Sequence, residues 1–364
     1  MLKFNKIPNK KDGKGFLMLL KTLSPKDHAR VCLETKEQKR FRAEEAMRAK
    51  MSGDLTFKWY DLERKGEELT TPAPVIFSWE EIRTEEEKPL DAYYFLLISE
   101  HENMNNAVVY TTQETSLDVY NLKVGTTYFW CVQKEGKRSE TAVFATDLTL
   151  PRCIRMGGIA NVRDMGGYAV EEGVMRQGLV YRGGEFERHM HLTPDGIDTI
   201  KRLGLRTDLD MRGEAIGKVD YPTSELFGMT RVFVPSVPYE EAFSKEQRSA
   251  LKRFYMTFTS ERNYPIYYHC WGGADRTGTF AYILGALCGM SREDLIFEYE
   301  FTSLSIWGIR SRNYQKFRLF EEKFLALTGE TLREKAAYYL KKYASLTERQ
   351  IERIYTIMVE KNAF

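Results

Sequence analysis

From Leu55 onward, apolar and polar residues alternate along the chain. Leu55, Phe57 and Trp59 form one alternating set, followed by Val75, Phe77 and Trp79, by Tyr93, Phe95 and Leu97, by Tyr128, Trp130 and Val132, and by Ala142, Phe144 and Thr146. A period of two is that of a strand with one face buried. Turn-like stretches separate the sets, among them Glu85-Glu86-Glu87-Lys88-Pro89, residues 103–106 and residues 134–137. Short strands at this spacing, with no helical period between them, predict an all-β sandwich over residues 55–148 with its core at 71–147. Trp79 and Trp130 stand at the alternating positions and are expected in that core rather than on a ligand.

The pattern differs on either side. Residues 1–54 are rich in charge, and Ser24-Pro25-Lys26-Asp27 has the cap, proline and acid of a helix start, so a charged, helical extension is expected there. A boundary is expected at Thr149-Leu150-Pro151, and residues 149–364 alternate strand-like and helix-like patterns. Leu205 to Arg212 and Tyr264 to Tyr268 read as buried strands. Thr193-Pro194 reads as a capped helix start, and Phe280 to Leu287 as an apolar helix closing near Gly289. Ser291-Arg292-Glu293-Asp294 and Thr347-Glu348-Arg349-Gln350 are capping-box patterns opening further helices. The fold class expected is an α/β domain, a mostly parallel sheet flanked by helices, preceded by the sandwich.

Composition narrows the possibilities. A formal charge of +2 on 364 residues demands neither nucleic acid nor an anionic membrane as partner. Five cysteines, Cys32, Cys131, Cys153, Cys270 and Cys288, form no CxxC and suit a reducing, cytoplasmic setting. The apolar run Phe16 to Leu20 is shorter than the ~7–15 residues of a signal-peptide core. No stretch approaches the ~18 apolar residues of a membrane span.

Chemistry concentrates in His269-Cys270-Trp271-Gly272-Gly273-Ala274-Asp275-Arg276-Thr277-Gly278. Lying between the strand and the helix, this stretch can turn successive N–H groups, those of Trp271 to Ala274 included, toward one anion at the helix's positive end. Cys270, near that end and near Arg276, is expected to ionise readily and to serve as nucleophile. Arg276 offers a planar fork for two phosphate oxygens, and Thr277 a hydroxyl for the departing sulfur. Gly278 is expected to help bind the substrate phosphate. His269 is expected to point away from the anion and to brace the loop. No cofactor or metal is required, and the partner expected is a phosphorylated protein or a small phosphate ester.

The stretch resembles the His-Cys, five residues, Arg, Ser or Thr, Gly motif of cysteine-dependent protein tyrosine phosphatases. Gly273, and Asp275 directly before the arginine, make it similar to the bacterial tyrosine and lipid phosphatase family that includes mycobacterial PtpB. Gly157 to Tyr168 is similar to that family's Asn-Phe-Arg-Asp-Leu-Gly-Gly-Tyr opening, with Val162 and Met165 in place of Phe and Leu. Val180-Tyr181-Arg182-Gly183-Gly184 resembles the family's next strand, and the resemblance covers roughly residues 152–290 in four ordered patches. It implies phosphate ester hydrolysis through a phosphocysteine, Arg163 and Asp164 beside the substrate, and Asp275 as the acid, its pKa raised by the bound dianion. Asp210 and Asp164 are alternative acids. Ala274 stands where the family often carries a lysine that helps bind phosphoinositides, which favours phosphotyrosine or another aryl phosphate. A phosphoinositide or inositol phosphate phosphatase, and an inactive phosphate-binding module, are the other readings. Residues 71–147 resemble a fibronectin type III module in the placing of Trp79, Leu122 to Trp130 and Phe144-Ala145-Thr146, which implies a surface for a protein partner.

Overall fold

A computed structural model of the chain describes residues 18–51, 67–83, 93–213 and 223–361, which fall into two compact units. The strand expected at Leu55, Phe57 and Trp59 lies outside the described residues. The first unit comprises residues up to Val31 together with Val75–Val119 and Thr126–Thr146. In one of its sheets Met18–Ser24 and Ser116–Val119 flank Val75–Arg83, all antiparallel. The other runs in the order Ala29–Val31, Ala142–Thr146, Thr127–Lys134, Tyr94–Ser99, Val108–Thr112. Val75, Phe77 and Trp79 are buried while Ile76 is exposed, as the period of two requires. The Phe77 ring meets those of Trp130 at 5.0 Å and Phe144 at 5.6 Å, closing one sheet over the other. Both tryptophans are core residues.

Two expectations fail here. Met18–Ser24 and Ala29–Val31 are strands joined by a turn, not a helical extension, and Ser24 ends a strand rather than capping a helix. The helix begins later, at Lys36, where Thr35 and Gln38 form a reciprocal capping box that Ser24 and Asp27 do not. In the strand near residue 95 the buried face is Tyr94, Leu96 and Ile98, whereas Tyr93 and Phe95 are exposed. Residues 93–98 are apolar throughout, so both phases fitted the pattern, and a shift of one residue exchanges the faces.

The second unit comprises Cys32–Pro74, Tyr120–Gly125 and everything from Asp147. Residues 32–51 and 67–74 therefore belong with the helical end of the chain: Phe41 packs on Phe297 and Phe301 at 6.0 and 6.1 Å, and Gln38 bonds the carbonyls of Leu69 and Thr71. The six-stranded sheet has the order Arg152–Cys153, Arg163–Asp164, Val180–Gly183, Ile266–His269, Thr207–Asp210, Thr230–Phe233. Its last four strands are parallel. Ile266–His269 thus lies inside the parallel part, buried along its whole length. The helix that follows, Asp275–Cys288, is buried on almost every face, with Phe280, Ile283 and Leu284 fully enclosed. Each such side chain contributes roughly 1.5–3 kcal/mol of transfer free energy, so the strand-to-helix turn between them is held from both ends. Among the described residues no helix is long and apolar enough to cross a membrane.

Candidate active site

The turn Cys270 to Ala274 leaves the sheet at the carboxyl end of Ile266–His269 and enters the helix at Asp275. Gly273 has φ +66°, and a Cβ on it would sit 2.4 Å from the Gly183 carbonyl carbon, so only glycine fits between the two strand ends. Three successive carbonyls of the turn are pinned from outside. The Trp271 oxygen accepts from the Glu185 N–H at 3.0 Å, and the Gly272 oxygen from Asn161 Nδ2 at 3.1 Å. The Gly273 oxygen accepts from Asn161 at 2.9 Å and from Arg182 Nη2 at 2.6 Å. In a trans peptide N–H and C=O point oppositely, so the N–H groups of Gly272, Gly273 and Ala274 face the other, concave side. They stand there beside the positive end of a 14-residue helix.

Cys270 is 4% exposed at the base of this turn. Burial alone would push its pKa up, but Arg276 and hydrogen bonding from Thr277 outweigh it, and the thiol lies below the usual cysteine range. The Thr277 hydroxyl is buried with no other partner, so the ionised sulfur is the acceptor it lacks. Arg276 is steadied by one hydrogen bond to the Met211 carbonyl at 3.0 Å. His269 turns away from the turn: its Nε2 faces Asp208 Oδ1 at 2.9 Å and its Nδ1 the Cys270 carbonyl at 2.9 Å. Burial lowers its pKa, yet Asp208 and Asp210 together raise it to about 9.

Asp275 is held from outside the turn. Arg310 grips both its oxygens, Nε to Oδ1 and Nη2 to Oδ2, each at 2.8 Å. The Tyr239 hydroxyl donates to Oδ1 as well. Burial raises the carboxyl's pKa, but Arg310, Tyr239 and Arg276 more than reverse this, so it lies below the ordinary aspartate range rather than above. The two alternative acids are also engaged. Asp210 is bound by Arg212 at 2.7 Å and by Arg231 at 3.2 Å, and Asp164 accepts from Arg152 at 2.6 Å and from the N–H groups of Gly166 and Gly178.

Arg163 and Asp164, expected beside the substrate, are internal: both are at most 1% exposed and their polar atoms are consumed within the fold. Arg163 binds Glu298 Oε1 at 2.7 Å, and the same carboxylate binds Arg182 Nη1 at 2.5 Å through its other oxygen. A buried chain Arg163, Glu298, Arg182 therefore ends on the Gly273 carbonyl, and Arg163 also binds Asn161, which grips the same carbonyl, so Arg163 reaches the turn through these neighbours and not directly. Gly278 lies in the first helical turn, its N–H on the Ala274 carbonyl at 2.7 Å. Trp271 is 39% exposed, with its ring 4.3 Å from that of His189 and 5.8 Å from that of Trp307.

With this geometry in place the comparisons can be read. A profile of the tyrosine phosphatase family matches residues 154–360, more than half of the chain. The chain belongs to the tyrosine phosphatase family. Its domain is that of a hydrolase acting on phosphate esters. No curated protein matches it. Among solved structures it is similar to the core catalytic domain of the PP-IP phosphatase Siw14 from S. cerevisiae in complex with citrate, at 20% identity over 44% of this chain and 90% of that one, with a TM-score of 0.29. A second structure of the Siw14 catalytic core shares 18% identity over 46% and 94%, with a TM-score of 0.28. A fibronectin type III domain from human KIAA0970 protein shares 25% identity over 24% and 77%, with a TM-score of 0.19.

Several residues that shape the site of this tyrosine phosphatase family member were not given roles by sequence reasoning. Asn161 and Arg182 lie inside motif patches, yet nothing local shows that they grip the turn's carbonyls. Glu298, Tyr239, Tyr299 and Arg310 come from separate elements and are brought to the turn only by the fold.

Proposed function

We propose that this chain hydrolyses phosphate monoesters through a phosphocysteine on Cys270, with phosphotyrosine or a similar aryl phosphate as substrate. The observation that carries this reading is the outward pinning of three carbonyls around a cysteine whose proton affinity is lowered. In the first step Sγ attacks phosphorus, the P–O bond to the leaving group breaks, and its electron pair stays on the leaving oxygen. Arg276 and the turn's N–H groups hold the three phosphoryl oxygens, over which the charge of the loosened phosphoryl group is spread. Water then attacks phosphorus, the P–S bond breaks, and the Thr277 hydroxyl receives the returning thiolate. Asp275, gripped by Arg310 and Tyr239, stands beside Arg276 as a carboxylate. Trp271, exposed at the rim, offers a face for an aromatic leaving group.

The charge around the turn weighs against a polyanionic substrate. Arg182, Arg212 and Arg310 are each tied to a carboxylate, and Ala274 is apolar and buried. We assign the first unit to the fibronectin type III-like class, serving as a contact surface for a protein partner, and the catalytic unit to the bacterial tyrosine and lipid phosphatase group, working in a reducing compartment. Two facing sheets with Trp79 and Trp130 between them, the four motif patches and five free cysteines support these assignments.

The test is turnover of 4-nitrophenyl phosphate, a phosphotyrosine peptide and a phosphoinositide in chelator, by wild type and Cys270→Ser. Aryl substrates are expected to dominate, and Cys270→Ser to lose about 10⁴-fold or more. Persisting turnover in Cys270→Ser would end the proposal, and preference for the phosphoinositide would move the substrate class.

A further inference from the structure

Asp275 sits at the first position of the helix, directly before Arg276. Both its oxygens are occupied: Oδ2 by Arg310 Nη2 at 2.8 Å, Oδ1 by Arg310 Nε at 2.8 Å and by the Tyr239 hydroxyl. Because its hydroxyl donates to Asp275, Tyr239 can only accept from Tyr299, whose hydroxyl lies 2.8 Å away. The hydrogen bonds thus run from Tyr299 to Tyr239 to the Asp275 carboxylate, with Arg310 donating from the other side. Three of the four lone-pair sites of the carboxylate are thus taken, and a proton can enter only at the second site of Oδ2, against the charge of Arg310.

The clamp is built into rigid parts. Arg310 is 7% exposed, and its Nη1 is anchored on the Ile309 carbonyl at 3.0 Å. The segment that carries it is tied to the residues at 32–74. Ser311 Oγ and Asn313 Nδ2 donate to the Met51 carbonyl at 3.0 and 2.8 Å, and Ser305 Oγ to Glu68 at 2.8 Å. Tyr239 stands at φ +58°, a region bulky residues rarely occupy, and its N–H is caught by Thr279 Oγ1 of the same helix at 2.9 Å. Such an outlier persists only where surrounding bonds determine it, and here those bonds aim the hydroxyl at Asp275.

We propose that Arg310 and Tyr239 are positioning residues that hold Asp275 as a carboxylate, so that the protein favours phosphate esters whose alcohol departs without a proton, phenols well ahead of alkyl alcohols. The proposal rests on the phosphocysteine reading above. A phenol ionises near pH 10, whereas an alkyl alcohol is about as weak an acid as water. With no proton delivered as the P–O bond breaks, the electron pair must stay on the leaving oxygen, and rate must follow the acidity of the alcohol. The titratable and charged groups facing Asp275 are Arg276 and Cys270 from the turn and its helix, Tyr239, Tyr299 and Arg310, with Tyr314 beside the two tyrosines. The lowered pKa of Asp275 agrees with this arrangement.

The test measures kcat/KM of the full chain on phenyl phosphate and on 4-nitrophenyl phosphate, across pH, and reads their ratio, which is independent of how much protein is folded. Arg310→Gln is expected to raise the phenyl to nitrophenyl ratio about 10-fold or more, toward the 10²–10⁴ that a working general acid supplies. The gain should fade as pH rises through the pKa of the released Asp275, because only the protonated acid donates. Tyr239→Phe should raise the ratio about 2- to 5-fold by removing one of three donors. Adding Asp275→Asn to Arg310→Gln should abolish the gain, placing it in that carboxyl. An unchanged ratio in both single variants overturns the proposal. So does a selective loss of about 100-fold on phenyl phosphate in Asp275→Asn alone, which would show Asp275 donating despite its clamp. Turnover surviving in Cys270→Ser would instead overturn the phosphocysteine reading, whatever the ratio.

Discussion

The turn between strand and helix holds two acids, Cys270 at its start and Asp275 at its end, and the structure treats them alike. Burial works against ionising either, and a nearby arginine overrules burial in both. The consequences are opposite. A thiol that ionises easily becomes a better nucleophile, whereas a carboxyl that ionises easily is a worse proton donor. The two arginines also differ in how they are spent. Arg276 donates to the neutral Met211 carbonyl, and its charge acts on the sulfur. Arg310 is neutralised by the carboxylate it grips. Lowering a pKa therefore marks a working group only when the chemistry needs the deprotonated form.

The largest effect that bears on this contrast is expected from Arg276→Lys. A lysine keeps the charge but loses the planar fork, and kcat/KM should fall about 10²–10³-fold. Alkylation of Cys270 should change far less, because the thiolate responds mainly to charge. If turnover fell no more than alkylation did, Arg276 would be acting on the sulfur alone and not on the phosphoryl group.

A second test concerns the cation behind the sulfur. His269 has a folded pKa of about 9 against 6.5 ordinarily, with Asp208 and Asp210 as its counter-charges. A raised pKa stabilises the fold fully below pH 6.5, and the contribution is lost as pH rises toward 9. Its ceiling is about 3 kcal/mol, from the free energy of a pKa unit. Urea unfolding at pH 6 and at pH 9.5 should show this fall in wild type and a much smaller one in Asp208→Asn. An equal fall in both would mean that His269 is neutral when folded and that its charge never enters the balance around Cys270.

Legibility followed the same division. The sulfur end was readable because its parts are consecutive: strand, Cys270, glycine turn, Arg276, Thr277 and helix follow one another, and local spacing fixes their geometry. Asp275 lies in the same stretch, yet its state is set by Arg310, 35 residues on, and by Tyr239, 36 residues before. No pattern in the sequence joins these three. The parallel sheet and capped helices were likewise legible, Thr193 and Thr347 capping as their spacing requires. Residues 18–31 were not, because a strand of seven residues with alternating exposure was masked by the charged residues around it. Arg163 and Asp164 were placed in the right stretch and misjudged in role. Their charges serve Glu298 and Arg152, partners distant enough in sequence or unremarkable enough in type to leave no mark.

The smallest effect separates two ways of lowering the pKa of Cys270. Arg276 acts through charge, and Thr277 through hydrogen bonds from its N–H and its hydroxyl. Thr277→Val keeps the shape and the N–H and removes only the hydroxyl, at a residue fully buried in the first helical turn. A hydrogen bond to a charged group is worth roughly 1.5–3 kcal/mol, and part of it will be recovered by the remaining donors. The iodoacetamide reaction of Cys270 should therefore inflect about one pH unit higher in the variant. Between the two inflections the variant holds less thiolate and should react more slowly. The same hydroxyl meets the sulfur as it leaves phosphorus, so hydrolysis of the phosphocysteine should slow as well, and a burst of released phenol should precede a slower steady rate. An unshifted inflection with a clear burst would assign the hydroxyl to the departing sulfur only. An unshifted inflection with no burst would leave Arg276 as the group that makes Cys270 unlike Asp275.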